Sequence, residues 1–100
     1  MAVTVRLPSA LRRQAGDRST VDVELPARAT LGDLLNVLAA DHPGLERRLR
    51  DERGGLRRYV NFFVDGEECR RLAGADTPLD GAAEVQIIPS VAGGSGTMGA

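Results

Sequence analysis

Few side chains in this sequence have the type and spacing for chemistry. Cys69 is the only cysteine and His42 the only histidine. One cysteine leaves no internal disulfide framework and no four-thiolate metal or cluster site. Cys69 reads as a small apolar filler, since a persulfide role needs exposure and a lowered thiol pKa. His42 precedes Pro43 at a helix end and reads as a capping or surface residue. Glu67-Glu68 beside a turn reads as a solvated end, because a carboxylate dyad needs a cleft that a small domain builds with difficulty. Gly54-Gly55 lacks the following Lys-Ser/Thr of a phosphate loop. No nucleophile–base–orienter set stands out, so the residues point away from an enzyme.

The charges exclude other classes. Thirteen basic residues stand against fourteen acidic ones, for a net charge of −1, which argues against general nucleic-acid binding. Arg47, Arg48, Arg50, Arg53, Arg57 and Arg58 cluster locally, but Glu46, Asp51 and Glu52 dilute them and a solvated face is expected. Every basic residue is arginine; no lysine is present to form a Schiff base or accept an isopeptide bond. No apolar run approaches the ~20 residues of a membrane span, and the first residues lack a signal-peptide layout, so no membrane partner and a cytoplasmic location are expected.

One hundred residues suit a single domain with one modest core. Val3, Val5 and Leu7 alternate with polar neighbours and predict a strand ending at Pro8. Residues 9–19 read as a turn region in which Leu11 tucks inward. Val21, Val23 and Leu25 predict a second strand, forming a hairpin with the first. Leu31, Leu34, Leu35 and Leu38 then share one helical face, with Thr30 as N-cap and Asp33 at N3. His42-Pro43-Gly44 closes this helix, and Leu45 and Leu49 allow one further turn. Residues 50–58 read as a loop. Val60, Phe62 and Val64 predict a third strand, Asp65-Gly66 a hairpin turn, and residues 67–70 a short fourth strand. A loop over 72–83, turning at Asp80-Gly81, leads to a last strand over 84–89 with Val85 and Ile87 inward. The small, Gly-rich segment 91–100 is expected to be a mobile tail after a domain spanning 1–90. The expected fold is α+β: a ubiquitin-like β-grasp, with a mixed sheet of four to five strands, one main helix on one face, and the first and last strands side by side.

This order of elements, the segment Arg58-Tyr59-Val60-Asn61-Phe62-Phe63-Val64-Asp65-Gly66-Glu67-Glu68 and the ending Ile87-Ile88-Pro89-Ser90-Val91-Ala92-Gly93-Gly94 resemble the MoaD/ThiS family of sulfur carriers, and within it the actinobacterial CysO type. The resemblance covers residues 1–94. It implies a carrier cycle performed by partner enzymes. A ubiquitin-activating-type adenylating enzyme joins the terminal glycine carboxylate to AMP, using ATP. Sulfide or a persulfide displaces AMP, and the glycyl thiocarboxylate donates sulfur to an accepting synthase, a cysteine synthase in the CysO type. A zinc metalloprotease later releases the product. Gly94 is then the sulfur attachment site, and Val91, Ala92, Gly93 and Gly94 are the tail entering a partner's active site. Gly-Gly carries no β-carbons and suits a narrow channel. The carrier itself binds no cofactor or metal, and a monomer is expected.

One departure matters. Six residues, Ser95 to Ala100, follow Gly94. With Gly94 in a peptide bond there is no carboxylate to adenylate. Three readings stay open: cleavage after Gly94, with the metalloprotease as the trimming partner, exposes the active end; the six residues are an appendage of cloning or gene-boundary origin; or the chain is not a carrier. A ubiquitin-like modifier or passive interaction domain is the alternative function. On the sheet, alternation turns Phe63 and Ile88 away from the core, so together with Pro89 and Arg6 they form the expected partner-binding patch near the tail.

Overall fold

The computed structural model describes residues 1–79 and 84–89. The expected turn at Asp80-Gly81, the tail residues Val91, Ala92, Gly93 and Gly94, and the six-residue extension lie outside the described residues.

The alternating segments become strands. β1 (Ala2–Arg6) pairs antiparallel with β2 (Thr20–Glu24). β3 (Val60–Val64) turns at Asp65-Gly66 into β4 (Glu67–Glu68). Both turn residues have positive φ, 48° and 88°, the conformation of a type I′ hairpin, for which Asp-Gly is a favoured pair. β5 (Glu84–Pro89) runs parallel to β1 and antiparallel to β3. The sheet order is β2-β1-β5-β3-β4, so the first and last strands are neighbours, as the β-grasp requires.

One sheet face is sealed. Val3, Val5, Val21, Val23, Val60, Phe62, Val64, Val85 and Ile87 are all buried. The main helix, α2 (Leu31–Asp41), lays Leu31, Leu34, Leu35 and Leu38 against them, and each leucine contributes about 1.5–3 kcal/mol by leaving water. Thr30 starts α2 through a capping box: its hydroxyl accepts from the Asp33 amide at 3.2 Å, and its own amide donates to the Asp33 carboxylate at 2.9 Å. Leu31 N–H also donates to the Thr77 carbonyl, and Leu79 N–H to that of Ala29, tying the helix start to the segment before β5. Thr30→Ala is expected to cost about 1 kcal/mol, read as a lower urea midpoint with an unchanged slope.

Three local expectations need correction. Residues 9–19 are not simply a turn: α1 (Ser9–Arg12) and a 3₁₀ turn (Arg13–Ala15) fill the hairpin connection, pulled inward by buried Leu11 and Ala15. Pro43 does not end the helical region; it begins α3 (Pro43–Leu49). Proline is at home there because the first helical N–H has no partner to lose, and Leu45 and Leu49 are buried one turn apart. β4 stops at Glu68, and Cys69 opens a 3₁₀ turn (Cys69–Arg71) rather than continuing the strand. Cys69 faces the core.

Candidate functional site

The root of the tail is fixed by β5. This strand lies between two neighbours, in register with β1 from Thr4↔Glu84 to Arg6↔Gln86 and with β3 from Val64↔Val85 to Val60↔Pro89. Pro89 closes the ladder because it has no N–H to donate. β5 is flanked on both sides as far as Gln86, and beyond it by β3 alone up to Pro89.

The second sheet face carries no helix. Across it, register places Thr20, Arg6, Gln86, Phe63 and Glu68 in one row, with Ile88 opposite Asn61 in the next. Phe63 and Ile88 are therefore diagonal neighbours, as alternation predicts, close enough for side chains of this size. Ile88 is exposed and Phe63 half-buried. Arg6 shares the face, with its guanidinium paired to the Glu84 carboxylate. A shallow cleft of about 200 Å³ runs beside Ile88, lined also by Arg6, Arg12, Thr20 and Gln86. Pro89 does not join this face. It is in register with Val60, on the core side of the pleat, and is exposed only because the strand ends there.

Sequence reasoning overlooked Arg70. Its guanidinium donates to Asn61 Oδ1 at 2.8 Å and to the Arg57 carbonyl at 2.8 Å, clamping the chain that enters β3. Spacing did not signal it, because β4 pairs with β3 only through Glu68 and Arg70 lies in the 3₁₀ turn that follows. Tyr59, also exposed, precedes β3 at the same end. The loop arginines are spread outward, with Arg50 paired to Glu46 and Arg57 donating to the Arg47 carbonyl.

Cys69 is held away from reagents. Burial pushes its thiol up; the neighbouring Arg70 charge and a hydrogen bond with the Phe62 backbone pull the other way without prevailing. A raised folded pKa means the native state keeps its proton longer than the unfolded chain. Its contribution to stability is complete below the ordinary thiol value of about 8.5 and is lost as pH rises above it. Iodoacetamide at neutral pH is expected to leave Cys69 unmodified in the native protein and to alkylate it in urea. Rapid native labelling would contradict this placement. Among the described residues no cluster of His, Cys, Asp or Glu could hold a metal ion, and no helix is long and apolar enough to cross a membrane.

Known proteins match more than nine-tenths of this chain. The sulfur carrier protein CysO of Mycobacterium tuberculosis is 36% identical over 96 residues, covering 94% of this chain and 100% of its own. Small archaeal modifier protein 3 of Haloferax volcanii is 34% identical over 94 residues, with the same coverage. Among solved structures, small archaeal modifier protein 1 of Haloferax volcanii superposes with a TM-score of 0.79 at 31% identity, covering 94% of this chain and 100% of that one. CysO from a BexX/CysO complex of Amycolatopsis orientalis also gives a TM-score of 0.79, at 32% identity over 92% of this chain and 99% of that one. A family model matches residues 5–94 and stops at the second glycine of the Gly-Gly pair. The chain belongs to the ThiS family, a family of ubiquitin-like β-grasp proteins that includes sulfur carriers and small modifiers.

Proposed function

We propose that this chain is a sulfur carrier acting through Gly94 once residues 95–100 have been removed. The observation that carries the reading is the end of the family match at Gly94, five residues beyond the last paired residue of β5. A chain spans at most ~3.3–3.6 Å per residue, so five residues give Gly94 a reach of at most about 18 Å from Pro89. That reach suits a carboxylate presented to a remote active site by a body that stays outside.

The chemistry then belongs to partners. A carboxylate is a poor electrophile. Transfer of AMP from ATP, with loss of pyrophosphate, gives an acyl adenylate with a good leaving group. Sulfide displaces AMP and leaves a thiocarboxylate, which is ionised and nucleophilic at neutral pH. The chain contributes the acyl end, the docking face and no acid, base or metal. The accepting synthase is of the cysteine-synthase type if the CysO likeness extends to the pathway, and a molybdopterin or other sulfur-using synthase if it does not. A zinc metalloprotease is the proposed trimming partner. Complex formation by a relative, the CysO of the BexX/CysO complex, supports the expectation that a partner protein docks on the carrier.

Likeness to small archaeal modifier proteins favours one second reading, attachment of Gly94 to protein amines. Residues 1–94, incubated with a ubiquitin-activating-type enzyme, ATP and sulfide, separate the two. The carrier reading expects the mass gain of one oxygen replaced by sulfur. High-mass conjugates in host extract, with no thiocarboxylate formed, would overturn it in favour of the modifier.

A further inference from the structure

The end of β5 hangs on one neighbour. β1 follows it to Gln86, the partner of Arg6, and then turns away, with Leu7 N–H donating to the Ser19 carbonyl at 2.9 Å. Among the described residues, Ile87, Ile88 and Pro89 pair with β3 alone, in register with Phe62, Asn61 and Val60. Asp65 N–H donates to the Glu84 carbonyl at 3.0 Å. Hydrogen-bonded pairs recur at every second residue of an antiparallel ladder, so the next two are Phe63–Gln86 and Asn61–Ile88. Pro89 has no N–H. The Ile88 amide is therefore the last donor by which β5 is tied to β3.

The start of β3 follows an irregular segment and needs a hold of its own. Residues 57–60 make a turn in which Val60 N–H donates to the Arg57 carbonyl at 3.2 Å. On one side α3 holds this turn: Arg57 N–H donates to the Leu49 carbonyl at 3.0 Å, and its Nε to that of Arg47 at 2.7 Å. Arg70 grips both ends of the turn at once. Its Nη2 donates to the Arg57 carbonyl at 2.8 Å and to that of Arg58 at 3.4 Å, and its Nη1 to Asn61 Oδ1 at 2.8 Å. The Glu68 carboxylate, 3.7 Å from Nη1, steadies the guanidinium from its own side. Asn61, gripped through its side chain, is the residue whose main chain meets Ile88.

We infer that Arg70 is a positioning residue for the carrier's acyl end: it fixes the start of β3 against the last pair of β5, and so sets where the chain continues from Pro89 toward Gly94. The inference rests on the proposed function for what Gly94 does, whereas the clamp stands apart from any reaction there. The planar fork of arginine matters, because two nitrogens reach acceptors at opposite ends of one turn, which a lysine ammonium does not reproduce. Without the clamp β5 frays back toward Gln86. Three more residues must then be ordered, at an entropic cost, each time the end is seated in a partner. Seating follows docking of the body, so this cost falls on kcat. A lost contact with the partner would fall on KM instead.

Amide hydrogen exchange of the full chain, ¹⁵N-labelled, tests the clamp with no enzyme present. Arg70→Ala and Arg70→Lys are both expected to speed exchange at Ile88 about tenfold relative to Gln86, the scale of one hydrogen bond to a charged group. Asn61→Ala leaves the arginine in place and is expected to act in the same direction, which keeps the test open if an Arg70 variant fails to fold. Thr30→Ala weakens the cap of α2 and should change both amides alike. Ile88 and Gln86 moving in step in the Arg70 variants would show a role in general stability, and a lysine variant matching the wild type a role for charge alone; either overturns the inference. With residues 1–94, the adenylating enzyme and ATP, pyrophosphate release by Arg70→Ala is expected to show kcat lowered roughly three- to tenfold and KM within about twofold. An unchanged kcat would overturn the positioning role, and a raised KM beside it would make Arg70 a partner contact. If the wild type releases no pyrophosphate, the carrier reading fails, and the exchange rates still decide the clamp.

Discussion

Trimmed after Gly94, the chain is expected to accept AMP from ATP in the presence of a ubiquitin-activating-type enzyme, while the full-length chain accepts none. The contrast should be all or none, because it rests on a functional group and not on affinity. In the full chain the Gly94 carbonyl is an amide joined to Ser95, and no oxygen there can attack the α-phosphate. Removing six residues creates that nucleophile. Pyrophosphate release measures the step directly. Within the trimmed chain, Gly93→Val is expected to lower turnover roughly a hundredfold, the scale on which a misplacement of about 1 Å at a reacting centre acts. A β-branched side chain restricts the backbone and widens a segment that must enter a narrow channel. Circular dichroism should not change, since the family match places this position beyond β5. Equal pyrophosphate release from full-length and trimmed chains would show that activation does not occur at Gly94.

The second large effect concerns the body. Phe62 is the largest of the fully buried side chains, with 0% exposure, and pairs with Ile87 at the middle of the β3–β5 ladder. Phe62→Ala is expected to cost about 3–5 kcal/mol. A domain of this size has about 5–15 kcal/mol in total, so a large share of the stability would be lost. At about 4–8 °C per kcal/mol, the melting temperature should fall by roughly 12–40 °C. Its neighbour supplies the control. Phe63 points to the open face and is half-buried, so Phe63→Ala should cost only about 1 kcal/mol. If that face docks partners, Phe63→Ala should weaken a partner's binding more than it lowers stability. Similar melting temperatures for the two variants would contradict the assignment of β3's two faces.

Alternation made those faces legible before any coordinates, since period two in Val60–Val64 and Val21–Val23 has one physical meaning for a half-buried sheet. The helix α2 was equally legible, with four leucines on one stripe and a capping box at its start. The misreadings share a cause. Ser9–Arg12 is a single helical turn whose N-cap makes no side-chain hydrogen bond and whose first turn holds no acid, so its inward pull comes from Leu11 meeting a core assembled from distant strands. Pro43 carries two meanings, stop and start, and only the packing of Leu45 and Leu49 decides between them. At the site, the Gly-Gly motif and the diagonal of Phe63 and Ile88 could be read from spacing. The parity of Pro89 could also have been read by counting along the strands. The place of Arg70 could not, because the chain leaves strand geometry after Glu68.

The most direct measurement is the intact mass of the untagged protein isolated from its own host, with the adenylating enzyme and the protease active. Loss of residues 95–100, together with one oxygen replaced by sulfur at Gly94, is the result expected of a processed thiocarboxylate carrier. A full-length, unmodified mass under those same conditions would contradict the carrier reading and leave a binding module in its place.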